Sequence, residues 1–112
     1  MELDRIDVIR YSRQLPLLGA LGQLRLLETS VAVVGLGGLG SLVSLYLAAL
    51  GVGKLVIVDY DVVGVENLNR QILYTTDDVG KPKALVAERR LRELNPLVEV
   101  EARNVKITRD NV

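Results

Sequence analysis

The feature that most constrains this 112-residue chain is the stretch "SVAVVGLGGLGS", residues 30–41. A β-branched run stops on glycine, a Gly-x-Gly-x-x-Gly pattern follows at Gly35, Gly37 and Gly40, and an apolar stretch from Leu42 to Leu50 closes on Gly51. That order predicts a buried strand, a tight turn and a helix. The apolar stretch is too uniformly hydrophobic for a surface helix, so it is expected to be buried. Each glycine has its own task in such a turn: Gly35 makes the bend, Gly37 lets the backbone approach a phosphate or ribose, and Gly40 lets the helix lie close to the strand. Gly38 relaxes the loop further. A helix beginning near Gly40 aims free N–H groups and the positive end of its dipole at the crevice, which favours an anionic ligand without any basic side chain.

The rest of the chain continues the same architecture. "KLVIVD" reads as a second strand whose all-apolar character suits a parallel sheet covered on both faces. Its end carries Asp59, 19 residues beyond Gly40, where a carboxylate can accept hydrogen bonds from both hydroxyls of a ribose. In "VGKPKALVAERRLRELNP", Pro82 stands near a helix start, Ala84, Ala87, Leu91 and Leu94 form one stripe, and Asn95-Pro96 is a stop. "LVEVEARNV" then alternates Val98, Val100 and Ala102 against Glu99, Glu101 and Arg103, the pattern of a half-exposed strand. Ahead of all this, Leu3, Ile6, Ile9 and Tyr11 recur at helical spacing, and Pro16 allows a fresh start for a leucine-rich segment ending near Leu27. The expected fold class is α/β: a Rossmann-like βαβαβ half of a doubly wound parallel sheet preceded by short N-terminal helices. Residues 1–29 form the helical lead and residues 30–112 a partial nucleotide-binding domain.

Composition removes several alternatives. Fourteen basic and fourteen acidic residues cancel, so there is no basic field for general nucleic-acid or membrane binding. With neither cysteine nor histidine, the chain offers no disulfide, no thiol nucleophile, no usual zinc site and no histidine acid/base chemistry. The opening "MELDRIDVIRYSRQ" lacks the apolar core of a signal peptide, and the longest apolar run is too short to cross a membrane, so a cytoplasmic location is expected.

A glycine turn with an acidic residue at the next strand end serves NAD and ATP alike. The segment that follows, "DYDVVGVENLNRQ", separates them. Asn67, Arg70 and Gln71 stand at i, i+3 and i+4, so one helical turn would set all three on one face beside the mouth of the second strand. Arg70 can grip phosphate oxygens in a bidentate fork, and Lys83 can add a point charge at the start of the third helix. A cation there opposes the helix dipole, a cost that a polyphosphate ligand would offset. An NAD-binding domain explains the glycines and Asp59 and leaves Arg70, Lys83 and the "RYSRQ" start without work.

Four motifs in order, "RYSRQ", "VVGLGGLGS", "VDYDVVGVENLNRQ" and "VGKPKA", cover nearly the whole chain. In them the sequence resembles the ThiF/MoeB/HesA adenylyltransferases that activate ubiquitin-like and sulfur-carrier proteins. The resemblance implies that Gly38 lies against ATP, that Asp59 holds the ribose, and that Asn67, Arg70 and Lys83 surround the phosphates with Gln71 in support. It implies that Arg13 reaches into a partner subunit's ATP site, with Arg10 its structural neighbour; that role, the open first strand and Leu17, Leu18, Leu21, Leu24 and Leu27 together point to a homodimer or larger assembly. The implied reaction is attack by the C-terminal carboxylate of a carrier protein ending in Gly-Gly on the α-phosphorus of ATP, with magnesium bridging the phosphates.

The family's metal-binding aspartate, its Cys-x-x-Cys zinc pair and, in some members, a catalytic cysteine fall beyond Val112. The chain is therefore expected to be an amino-terminal piece of an activating enzyme, with the first strand left as an apolar edge for a neighbour to cover. The alternative is a non-catalytic nucleotide-binding or interaction module.

Overall fold

The computed structural model describes residues 7–112. Its elements are α1 (Leu15–Leu27), β1 (Ser30–Val34), α2 (Gly38–Leu50), β2 (Lys54–Val58), α3 (Lys83–Leu94) and β3 (Glu99–Arg103), with single 3₁₀ turns at Val65–Asn67 and Thr76–Asp78. The three strands are parallel in the order β1-β2-β3, with Val33 opposite Ile57 and Ile57 opposite Ala102. This is the expected βαβαβ unit.

The register decides which residues enter the core. Val33, Leu55, Ile57 and Val100 point to the face that α2 and α3 cover, where Ala84, Ala87 and Leu91 of α3 meet them. Leu94, expected on the same stripe, lies partly in solvent at the end of α3. On the opposite face Ala32 and Val34 are exposed, and Lys54 pairs with Glu101, which also pairs with Arg103. The expectation of helices on both faces is therefore met on one side only among the described residues. The charged residues of β2 and β3 explain how the other side meets water.

A second correction concerns α2. Its inward residues are Ser41, Ser44 and Ala48, while Leu42, Val43 and Tyr46 face outward and Leu39 is 82% exposed. The cause is the distance between helix and sheet. A Cβ on Gly40 would lie 1.7 Å from the Gly35 carbonyl oxygen, so the helix rests on the end of β1. Only small residues fit along that line of approach, and the two serines turn their hydroxyls back to the Gly37 and Gly40 carbonyls. Of the larger apolar side chains, Leu45 and Leu47 pack half-buried at the margin of the core and the rest are left outside.

The N-terminal lead also differs from the expected pair of helices. Leu3 and Ile6 lie outside the described residues, and residues 8–14 form hydrogen-bonded turns. Helix α1 begins beside Pro16 as expected, but Gly19 at φ 70° breaks its regular course. Beyond the break only Gln23 and Leu24 are buried, and Leu17 is 88% exposed.

Candidate functional site

The carboxyl ends of the strands gather most of the residues singled out from the sequence. Gly35 takes φ 94°, a left-handed conformation that side chains other than glycine rarely adopt, and its N–H donates to the Val58 carbonyl at 2.7 Å. The chain then turns through Leu36 into Gly37, which caps α2 without any side-chain hydrogen bond. Gly38 is the first helical residue, and nothing lies within 4 Å of where its Cβ would stand. Backbone N–H groups at the first turn of a helix have no intrahelical acceptor, so this end of α2 offers donors to a ligand.

Asp59 stands at the end of β2 and is tied to that loop. Its Oδ2 accepts the Leu36 N–H and its Oδ1 accepts the Asp61 N–H, both at 2.7 Å. Each oxygen retains acceptor capacity, and the side chain is half-buried. Beside it, a cavity of about 230 Å³ is lined by Val34, Val58, Tyr60, Val105 and Ile107, with the Lys106 ammonium 5.7 Å from the centre of the Tyr60 ring.

The Asn67, Arg70 and Gln71 trio does not share one face. Asn67 is drawn into its own turn, accepting the Gly64 N–H at 2.8 Å. Arg70 is exposed and rests on the Glu66 carbonyl and the Asn69 side chain. Gln71 turns inward: it is 3% exposed, packs against Gly37, and its Oε1 is buried without a hydrogen-bond partner. The short turn, not a continued helix, sends Arg70 outward and Gln71 inward.

Lys83 opens α3, where the sequence placed it, and its N–H donates to the Asp61 carbonyl at 3.0 Å. The antiparallel bridge between Val62 and Pro82 brings it beside the Asp59 loop. Its side chain is 6% exposed, and among the described residues no carboxylate lies within ion-pair distance. Most of the residue is covered, but its ammonium is not among the buried atoms left without a partner, so the stem is packed while the charged tip, without a counter-charge, stays open to an anion.

Arg13 is the residue the structure does not bring to this cluster. Its neighbours clamp the opposite end of α2: the Tyr11 hydroxyl accepts from Asn95, Gln14 donates to the Leu50 carbonyl, and the Tyr11 ring lies against Gly51. The 13 residues of α2 separate that end from Gly38 by about 18 Å. Arg13 is exposed and out of reach of its own chain's glycine loop.

Residues 11–112 match the ThiF family. The chain belongs to the ThiF family. It is 55% identical over 113 residues to a sulfur carrier protein adenylyltransferase of Thermus thermophilus, covering 99% of this chain and 42% of that protein. It is 47% identical over 104 residues to the sulfur carrier protein ThiS adenylyltransferase of Escherichia coli, covering 91% of this chain and 41% of that one. This ThiF-family chain thus spans about two fifths of the length of these curated relatives. Among solved structures, E. coli tRNA N6-threonylcarbamoyladenosine dehydratase TcdA in complex with ATP superposes with a TM-score of 0.88 at 36% identity, over 93% of this chain and 43% of that one. E. coli MccB with ATP gives 0.82 at 36% identity, over 88% and 31%.

Two buried polar residues of this ThiF-family chain were not singled out from the sequence. Tyr74 is buried, and its hydroxyl donates to the Leu36 carbonyl at 2.7 Å. Burial first, and then the Asp59 charge, push its phenol far above the usual range. Asp78 is fully buried and accepts from the Thr75 N–H and hydroxyl and from Arg89 and Arg90. Burial raises its pKa, and these donors together outweigh that and hold the carboxyl below its usual range. A tyrosine and an aspartate in a loop carry no periodic signal, so only the folded chain reveals them. As for magnesium, the described residues hold no group of three or more His, Cys, Asp or Glu that could bind a metal ion. Those residues by themselves do not form a metal site.

Proposed function

We propose that this chain is the nucleotide-binding part of an ATP-dependent adenylyltransferase that activates the C-terminal carboxylate of a ubiquitin-like or sulfur-carrier protein ending in Gly-Gly. The observation that carries this reading is the convergence of the uncapped start of α2, Asp59 bound to the Leu36 N–H, and Lys83 opening α3 against the Asp61 carbonyl with no ion-pair partner among the described residues. The names of the curated relatives and the ATP in the TcdA and MccB complexes support it.

In this reading the base enters the apolar cavity beside Tyr60, and the ribose diol donates to Asp59. The phosphates run from the Gly37–Gly38 backbone toward Lys83, and Arg70 exchanges its loop acceptors for phosphate oxygens. Asn67 shapes the turn that presents Arg70, while Gln71 supports Gly37 from beneath. A carrier carboxylate oxygen attacks the α-phosphorus, the bond from that phosphorus to the bridging oxygen breaks, and pyrophosphate leaves with the electron pair. No proton changes hands, so no histidine is required. Positioning and neutralisation of the departing charge carry the rate. Arg13, held at the far end of α2, would act on a second copy's phosphates in a homodimer, and the exposed Leu17 and Leu21 beside it supply apolar surface for such a contact.

Carrier-dependent exchange of labelled pyrophosphate into ATP tests the reaction. Exchange that requires the carrier's terminal carboxylate is expected. ATP binding without exchange would favour a non-catalytic nucleotide-binding module, a reading the lack of a metal-binding group among the described residues keeps in play. Equal or tighter binding of NAD would overturn the adenylyltransferase reading.

A further inference from the structure

We infer that Tyr74 is a positioning residue that sets the glycine loop and Asp59 for the ribose through Leu36, an inference that rests on the nucleotide reading above. Leu36 lies between Gly35 and Gly37, and a polar group of each of the two peptide units it joins is held. Its N–H, in the Gly35–Leu36 peptide, donates to Asp59 Oδ2, and its carbonyl, in the Leu36–Gly37 peptide, accepts from the Tyr74 hydroxyl, each at 2.7 Å. The Leu36 side chain is fully buried, so this residue is anchored on three sides in a loop whose other residues are glycines.

Tyr74 also belongs to the opposite wall. Its N–H donates to the Gln71 carbonyl, and the Gln71 N–H donates to the Asn67 carbonyl, which continues the turn that carries Arg70. One hydroxyl therefore joins the loop that meets the phosphates from one side to the turn that meets them from the other. The environment keeps that hydroxyl a donor: burial and the neighbouring Asp59 charge hold the phenol protonated. Gln71, beside it, is buried with an unpaired Oε1, so it supplies no equivalent bond to the loop. Removing the Tyr74 hydroxyl would free the Leu36 carbonyl, let the Leu36–Gly37 peptide rotate, and, through the Leu36 torsions, loosen the neighbouring peptide's N–H that orients Asp59.

Tyr74→Phe keeps the ring and removes only the bond. With the full-length protein, calorimetric titration should show ATP binding weakened about five- to tenfold, the size of one lost intramolecular hydrogen bond. The preference for ATP over 2′-deoxy-ATP should shrink with it, because Asp59 is the group that reads the diol. A purely structural role would lower the melting temperature and leave that preference intact, which would overturn the inference. So would unchanged ATP affinity in a folded variant. Failure of the wild-type protein to bind ATP would instead remove the nucleotide reading itself. Should Tyr74→Phe not fold, 3-fluorotyrosine placed at position 74 retains the hydroxyl, and its ¹⁹F resonance should shift when ATP is added. A resonance that does not move while ATP binds would overturn the inference equally.

Discussion

The two ends of α2 treat their polar groups in opposite ways. At its C-terminal end, Asn95 donates to the Ala48 carbonyl, Gln14 and Gln23 both donate to the Leu50 carbonyl, and Gly51 at φ 93° closes the helix in a left-handed cap. At its N-terminal end, no side chain caps Gly37, Gly38 faces open space, Lys83 has a covered stem and no ion-pair partner among the described residues, and Gln71 holds an unpaired oxygen. An end that satisfies itself is scaffold. An end that leaves its backbone donors open, a cation without a counter-charge and a buried acceptor unpaired is suited to a ligand, because a native interior otherwise pairs its polar groups.

The contrast predicts which substitutions harm folding and which harm binding. The largest expected effect is at the joint between the two functions. Gly40→Ala would drive a Cβ into the Gly35 carbonyl, so the helix must leave the sheet, and stability should fall by about 4 kcal/mol with loss of nucleotide binding. A variant that melts like the wild type would break the claim that close approach shapes α2. Next comes the closed end. Asn95→Ala strips partners from Ala48, Tyr11 and the Leu97 N–H, and should cost about 2 to 3 kcal/mol in urea unfolding while changing ATP affinity less than threefold.

The open end should behave in reverse. Lys83→Met keeps the length of the side chain and discards the charge, so ATP binding should weaken by about 2 kcal/mol. The free protein should melt at about the same temperature, since a cation with an accessible tip and no ion-pair partner contributes little to the fold. If Lys83→Met instead destabilised the free protein and left ATP affinity unchanged, the two ends would not differ as described.

How far this contrast could be read in advance follows from what each residue does. Gly35 and Gly40 were legible because the bend and the close approach each need glycine, and so were Asp59 and Lys83, whose positions follow from a strand end and a helix start. The orientation of α2 was not. Its uniformly apolar sequence gives no direction to a stripe, and steric fit under Gly40, not hydrophobicity, selects Ser41, Ser44 and Ala48 for the inside. The split of Arg70 from Gln71 depends on a turn that ends after one cycle, and the break at Gly19 depends on a single torsion. In "RYSRQ" the pattern marked Arg13, whereas the anchoring by Tyr11 and Gln14 requires partners 84 and 36 residues away. Side-chain bonds across such separations leave no local trace.

The smallest effect sharpens the contrast by pH. Asp78, in the turn between Tyr74 and α3, is satisfied throughout by Thr75, Arg89 and Arg90, so it should act as scaffold. Its folded-state pKa is depressed below the unfolded value of about 3.9. A depressed carboxyl stabilises the fold above the unfolded pKa, and that contribution disappears as pH falls through the folded value. Asp78→Asn keeps the shape and removes the charge, so it should cost about 1.5 kcal/mol at pH 7. Because Arg89 and Arg90 are partly solvated, the charge contributes less than a fully enclosed pair would. Urea unfolding of wild type and variant from pH 7 to pH 2.5 should show a constant gap down to about pH 4 that then closes. A gap that persists at pH 2.5 would mean that shape and not charge holds the loop behind Tyr74. A variant that lost ATP affinity at unchanged stability would place Asp78 with the ligand-facing groups.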